Sequence, residues 1–160
     1  MSTNLGPRLP DALVRYFSGN ELRAKMGEAC VLVTQGADGY PHPMIVTPGE
    51  IVAGDPSTMR LALYAESTAS RNLRATPQAT LCHAQDGAGY YVKGDVEPFA
   101  TDAPALKGLA VFTFRPRHVL QDAEPGAQVT SSFRFHDDAG EDARLAQWEP
   151  VVKALRDSFA

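Results

Sequence analysis

Apolar and polar positions alternate in short runs over most of the chain. The clearest run is 59–65, where Met59, Leu61 and Leu63 alternate with Arg60, Ala62 and Tyr64. A period of two places alternate side chains on opposite faces of a strand. Runs at 29–35, 40–47, 78–85 and 89–97 also read as strands, as do two long runs at 110–122 and 128–136 and a short one at 50–53. Asp38-Gly39 and Asp86-Gly87 mark turns between neighbouring runs, and Glu124-Pro125-Gly126-Ala127 joins the two long ones. Pro41 and Pro43 cannot donate ladder hydrogen bonds, so the strand at 40–47 begins at an edge or a bulge.

Helical spacing appears near both ends. Leu9, Leu13, Tyr16 and Phe17 form one apolar stripe, which Gly19 can close. Asn20 is a suitable N-cap for a short helix over 21–26, closed by Gly27. Residues 67–75 read as a short helix stopped before Pro77, and 101–108 as a helical turn. Leu145, Trp148, Val152, Leu155 and Phe159 repeat at steps of three and four. Pro150 lies inside that stripe, so it either kinks the helix or opens its regular part. Residues 1–8 read as a loose arm. The pattern predicts a mainly β fold with flanking α: six or seven antiparallel strands, several joined by hairpins, closing into a barrel. One domain over 1–160 is expected, with an arm and helices at 1–27, the barrel at 28–136 and a last helix at 140–160.

Composition narrows the function classes. The 160 residues carry a net charge of -4, so the basic surplus of a general nucleic-acid binder is missing. No apolar run approaches the ~20 residues of a membrane span, and Met1 to Pro10 lack the apolar stretch of a signal peptide. A cytoplasmic protein with no nucleic acid or membrane partner is expected. Cys30 and Cys82 lie in strand-like runs and read as reduced core thiols, the rival reading being a disulfide or a catalytic pair.

The most informative chemistry lies between Tyr64 and Arg74, where a strand gives way to a helix within a few residues. The first amides of a helix lack internal partners and the helix dipole favours an anion there. Ser67, Thr68 and Ser70 add hydroxyls, and Arg71 adds a fork that can grip two phosphate oxygens. The plain alternative is a capped helix with Arg71 and Arg74 in solvent. His42, between two prolines, is either a surface histidine or a ligand contact. His42, His83, His118 and His136 show no metal-ligand spacing, so no metal is expected. The chain has no nucleophile elbow, Walker loop or GxGxxG fingerprint.

The order of these features resembles the pyridoxamine 5'-phosphate oxidase-like family of FMN-binding split barrels. It is carried by Gly-Tyr-Pro-His-Pro at 39–43, Met-Arg-Leu-Ala-Leu-Tyr at 59–64, Asn72-Leu73, Pro-Gln-Ala-Thr-Leu at 77–81, and Tyr-Val-Lys-Gly-Asp-Val at 91–96. The resemblance implies a six-stranded antiparallel split β-barrel and a homodimer with FMN at the subunit interface. It places Pro43, Met44, Ile45 and Val46 along the flavin ring. Tyr64, Ala65, Ser67, Thr68, Ser70 and Arg71 fall at the phosphate. Tyr91, Lys93, Phe133 and Arg134 are the positions that would reach in from the partner subunit.

Two departures matter. Relatives often carry a Ser-Arg-Lys run at the phosphate. Counting forward from Tyr64 places Arg71 at the lysine, whereas counting back from Asn72 or Pro77 places Ala69 there. The Arg-x-His pair of the true oxidase is missing near the end, Arg117-His118 falling too early. The resemblance therefore implies an FMN-dependent oxidoreductase with an unidentified small-molecule substrate. Its rivals are a non-catalytic flavin-binding or stress-related protein, and a haem or deazaflavin binder on the same barrel. Haem would need an axial ligand from His42, His83 or His118.

Overall fold

The computed structural model describes residues 1–160. The strands are β1 (Ser2–Asn4), β2 (Glu28–Gln35), β3 (Pro41–Val46), β4 (Ile51–Asp55), β5 (Thr58–Tyr64), β6 (Gln78–Gln85), β7 (Ala88–Pro98), β8 (Leu109–Asp122) and β9 (Phe133–Arg134). The helices are α1 (Asp11–Tyr16), α2 (Thr68–Ala75) and α3 (Glu141–Asp157), with tight 3-10 turns at Leu22–Lys25 and Pro104–Leu106. The main sheet runs β3-β2-β6-β7-β8-β5-β4, and every neighbouring pair is antiparallel. The mainly β, antiparallel class expected from the alternation is the one observed, with seven strands on the main path and two short additions.

The alternation sorts side chains into two apolar layers. Met59, Leu61 and Leu63 face the barrel interior with Leu32, Leu81 and Phe112. The other face of β5 is also buried, because Ala62 packs with Trp148, Val152 and Leu155 of α3. α3 sits on β4 through two glycines. A Cβ on Gly49 would collide with the Trp148 ring, and one on Gly54 with Phe159. Pro150 lies inside α3, which continues to Asp157 because its apolar stripe anchors both sides of the proline.

Four expectations are corrected. The long strand at 128–136 reduces to Phe133–Arg134, which pair with Ala29 and Glu28. The rest of β2 is already bonded to β3 and β6, so no edge remains for a longer partner. Residues 1–8 are not wholly loose. β8 outruns β5, which pairs only from Leu109 to Phe114, and β1 fills the vacant edge at Leu120 to Asp122. The helix expected at 21–26 is a 3-10 turn entered through Glu21 at φ 54°, so Asn20 is not its cap. The turn at 101–108 is helical only at Pro104–Leu106. Pro116 is tolerated in the central strand β8 because the ladder shifts register opposite Lys93/Gly94.

Cys30 and Cys82 are both free thiols. Cys82 pairs with Val31 rather than Cys30, so the two side chains leave opposite faces of the sheet. Cys30 is buried as expected, whereas Cys82 is half-exposed on the outer face. No helix is long and apolar enough to cross a membrane.

Candidate functional site

Three residues separate the end of β5 from the start of α2, and the first turn of α2 is tightly braced. Ser67 is the N-cap and accepts the Ser70 amide at 3.1 Å. The Ser67 hydroxyl donates to Ser70 Oγ at 3.0 Å, and Ser70 Oγ donates to the Tyr64 carbonyl at 2.8 Å. Two arginines fold back over the same turn. Arg71 donates to the Glu66 carbonyl at 2.5 Å and to Thr68 Oγ1 at 3.2 Å. Arg74 donates to the Ala65 carbonyl at 3.0 Å. The amides of Thr68 and Ala69, at the head of the helix, have no protein acceptor. Two open amides, the Thr68 hydroxyl and two guanidinium groups thus converge on one exposed turn. That donor set suits a phosphate dianion, with the Glu66 carboxylate as the one opposing charge.

The predicted residues divide by burial. Thr68 and Arg71 are exposed, and Tyr64 is 75% exposed. Ser70 is wholly buried, so its hydroxyl braces the turn, and Ala69 packs into the barrel core. Asn72, buried, donates through Nδ2 to Thr34 Oγ1 at 3.0 Å and fastens α2 to β2. Thr34 pairs with His42 of β3, and Tyr64 closes β5 at the same end of the barrel. α2 therefore crosses the end of the barrel at which β3 begins.

β3 is the free edge of the sheet. Pro43 and Ile45 face outward, with Ile45 52% exposed, whereas Met44 turns toward the core and Val46 is fully inside it. The outward positions continue across the sheet in register. Ile45, Val31, Cys82, Tyr91 and Leu120 form one rung; Pro43, Val33, Thr80, Lys93 and His118 form the next. The second rung leads into a cleft of about 640 Å3 that also takes in Pro41, Gln78 and Arg117. Arg117 is paired with Asp95 at 2.6 Å, while Lys93 and His118 have no protein partner. Burial, together with the Asp122 carboxylate, raises the Tyr91 phenol above its usual range. Phe133 and Arg134 sit apart from this cleft, on β9 at the opposite end of β2.

Sequence reasoning missed Thr34 and Thr80, and it raised His118 only as a possible haem ligand. Each occupies a period-two position whose role depends on which strands neighbour it, and the strand order is not written in any one segment. Asn72 was legible as part of a motif, but its bond to Thr34 was not.

The fold has known relatives. Residues 23–148 match the family model for pyridoxamine 5'-phosphate oxidase. The uncharacterized protein YclD of Bacillus subtilis is 30% identical over 148 residues, covering 92% of this chain and 96% of that protein. A candidate pyridoxamine 5'-phosphate oxidase from Lactobacillus delbrueckii superposes with a TM-score of 0.57 at 20% identity, covering 72% of this chain and 97% of the other. A haem-binding protein from Mycobacterium smegmatis superposes with a TM-score of 0.51 at 19% identity, covering 78% of this chain and 58% of that one. The two superpositions support a shared fold, and the match across most of the sequence adds descent: this chain belongs to the pyridoxamine 5'-phosphate oxidase family.

Proposed function

We propose that the protein is a cytoplasmic FMN-binding oxidoreductase that acts on a small molecule as a homodimer. The observation that carries this reading is the head of α2, where the free Thr68 and Ala69 amides meet Arg71 and Arg74. Those groups would hold the phosphate, with the Thr68 hydroxyl as a further donor. Ser67 and Ser70 keep the turn in shape, and Tyr64 and Ala65 form its approach. Pro43 and Ile45 present an apolar wall for the ring, and the strand from Pro43 to Val46 offers edge backbone groups. Bound FMN would supply hydride acceptance and donation at its N5 atom. The protein's share is to position the ring, exclude water from it and shape access for the substrate.

The outward rung of Ile45, Val31, Tyr91 and Leu120 supports the dimer, because apolar positions on a sheet face are stabilised by covering them. A partner seated there would bring Tyr91 and Lys93, and with them the β9 pair Phe133 and Arg134, toward the neighbouring flavin. Titration of the purified protein with FMN tests the reading. Saturable quenching of flavin fluorescence with a 1:1 stoichiometry per chain is expected, and riboflavin, which lacks the phosphate, should bind more weakly. An unchanged flavin signal at millimolar FMN would refute it.

Haem is the second reading, favoured by His118 facing the 640 Å3 cleft. His83 is a poor axial ligand, because it is buried against Tyr16 and Phe17. A Soret band on adding haemin, absent in His118→Ala, would favour haem over flavin.

A further inference from the structure

A second, more enclosed pocket lies at the end of β2 remote from α2, with a volume of about 210 Å3. One wall is aromatic and fixed. The Tyr16 ring lies against His83 with centroids 4.2 Å apart, and Tyr16 donates its hydroxyl proton to Glu28 Oε2 at 2.5 Å. His83 Nδ1 sits 3.3 Å from Cys30 Sγ and its Nε2 is 3.3 Å from Gln85 Oε1. Both ring nitrogens are thus occupied, and the ring serves as a wall. The opposite wall is Ser131, Ser132 and Arg134.

The charges in this pocket are only partly used, Glu28 accepting the Tyr16 hydroxyl through one oxygen. Glu28 and Arg134 are directly opposed in the β2–β9 pair, yet they form no ion pair. Glu28 Oε1, the Arg134 guanidinium and the Ser131 and Ser132 hydroxyls have no protein hydrogen-bond partner. Glu28 and the exposed Arg134 line the same pocket without an ion pair, so a ligand that carries both charges can bridge them.

We propose that this pocket binds a small zwitterion of the free amino acid class. Its ammonium would meet Glu28, and its carboxylate would meet Arg134 and the two serine hydroxyls. The volume equals that of about seven waters, which suits glycine, alanine or serine. A ligand with only one charge would leave either Glu28 or Arg134 facing an uncharged group, and so binds less well. This site shares no residue with the turn at the head of α2.

The test is a titration of the purified full-length protein with L-alanine, followed by ligand-observed NMR and by the melting temperature. Saturable binding is expected, with propionate and ethylamine about tenfold weaker or worse. Arg134→Gln and Glu28→Gln should each weaken alanine binding about ten- to hundredfold. Arg134 is exposed, so its variant should keep the parent melting temperature in the absence of ligand. Absence of saturable binding by glycine, alanine and serine would overturn the proposal, as would undiminished affinity in Arg134→Gln. The alanine readout needs no flavin in the sample, and flavin-free protein keeps Arg134 available although the dimer reading also turns that residue toward the neighbouring flavin.

Discussion

Arg71 and Ala69 divide the first turn of α2 between solvent and core. The two alignments of the phosphate run could not be separated in the sequence, because both positions lie within one helical turn. Burial separates them physically: Ala69 packs inside the barrel and Arg71 lies over the turn. If Arg71 supplies the phosphate cation, Arg71→Ala should weaken FMN binding about ten- to hundredfold, measured by fluorescence titration. The fold should be unaffected, since Arg71 is exposed and its side chain hydrogen-bonds only within its own turn, to Glu66 and Thr68. His83 makes a separate prediction. Burial pushes it from its usual value near 6.5 down to about 4. Between those values the unfolded chain takes up a proton that the folded one refuses. Stability from this group is therefore full above pH 6.5 and lost as the pH falls toward 4, by at most about 3 kcal/mol. Thermal melts of the parent should fall over that window, and His83→Gln should flatten the dependence.

At the scale of elements, the strands with strong alternation were legible, and those set by competition for edges were not. β5 announced itself through Met59, Leu61 and Leu63. β1 exists because β8 is longer than β5, and β9 is short because β2 is already paired along most of its length. Neither fact resides in the local sequence of 1–8 or 128–136. The last helix was legible as a stripe, but its docking through Gly49 and Gly54 was not, since it depends on what crosses those glycines. Gly49→Ala should lower stability by about 1–3 kcal/mol, because a methyl there meets the Trp148 ring. Pro150→Ala should do the opposite. Pro150 is exposed and withholds one hydrogen bond from the interior of α3, so alanine should raise stability by up to about 3 kcal/mol. Denaturant melts of both variants check the signs.

For the molecule as a whole, the antiparallel barrel followed from alternation and hairpin signals, and the family from the order of its motifs. The candidate phosphate site was legible as a strand, a Ser/Thr turn and a helix start. The outer rungs that join β3 to Tyr91, Lys93 and His118 were not, because they depend on a strand order that is not sequential. A dimer built on that face should be visible by sedimentation at micromolar concentration, and Ile45→Lys with Tyr91→Lys should shift it toward monomer. A barrel that holds FMN by its phosphate at the head of α2 must distinguish FMN from riboflavin. The most direct measurement is the visible spectrum and fluorescence of the purified protein titrated with FMN, beside riboflavin and the Arg71→Ala variant. FMN should give a saturating perturbation, weaker for riboflavin and weaker in the variant. A flavin spectrum that the protein leaves unaltered at millimolar FMN would contradict it.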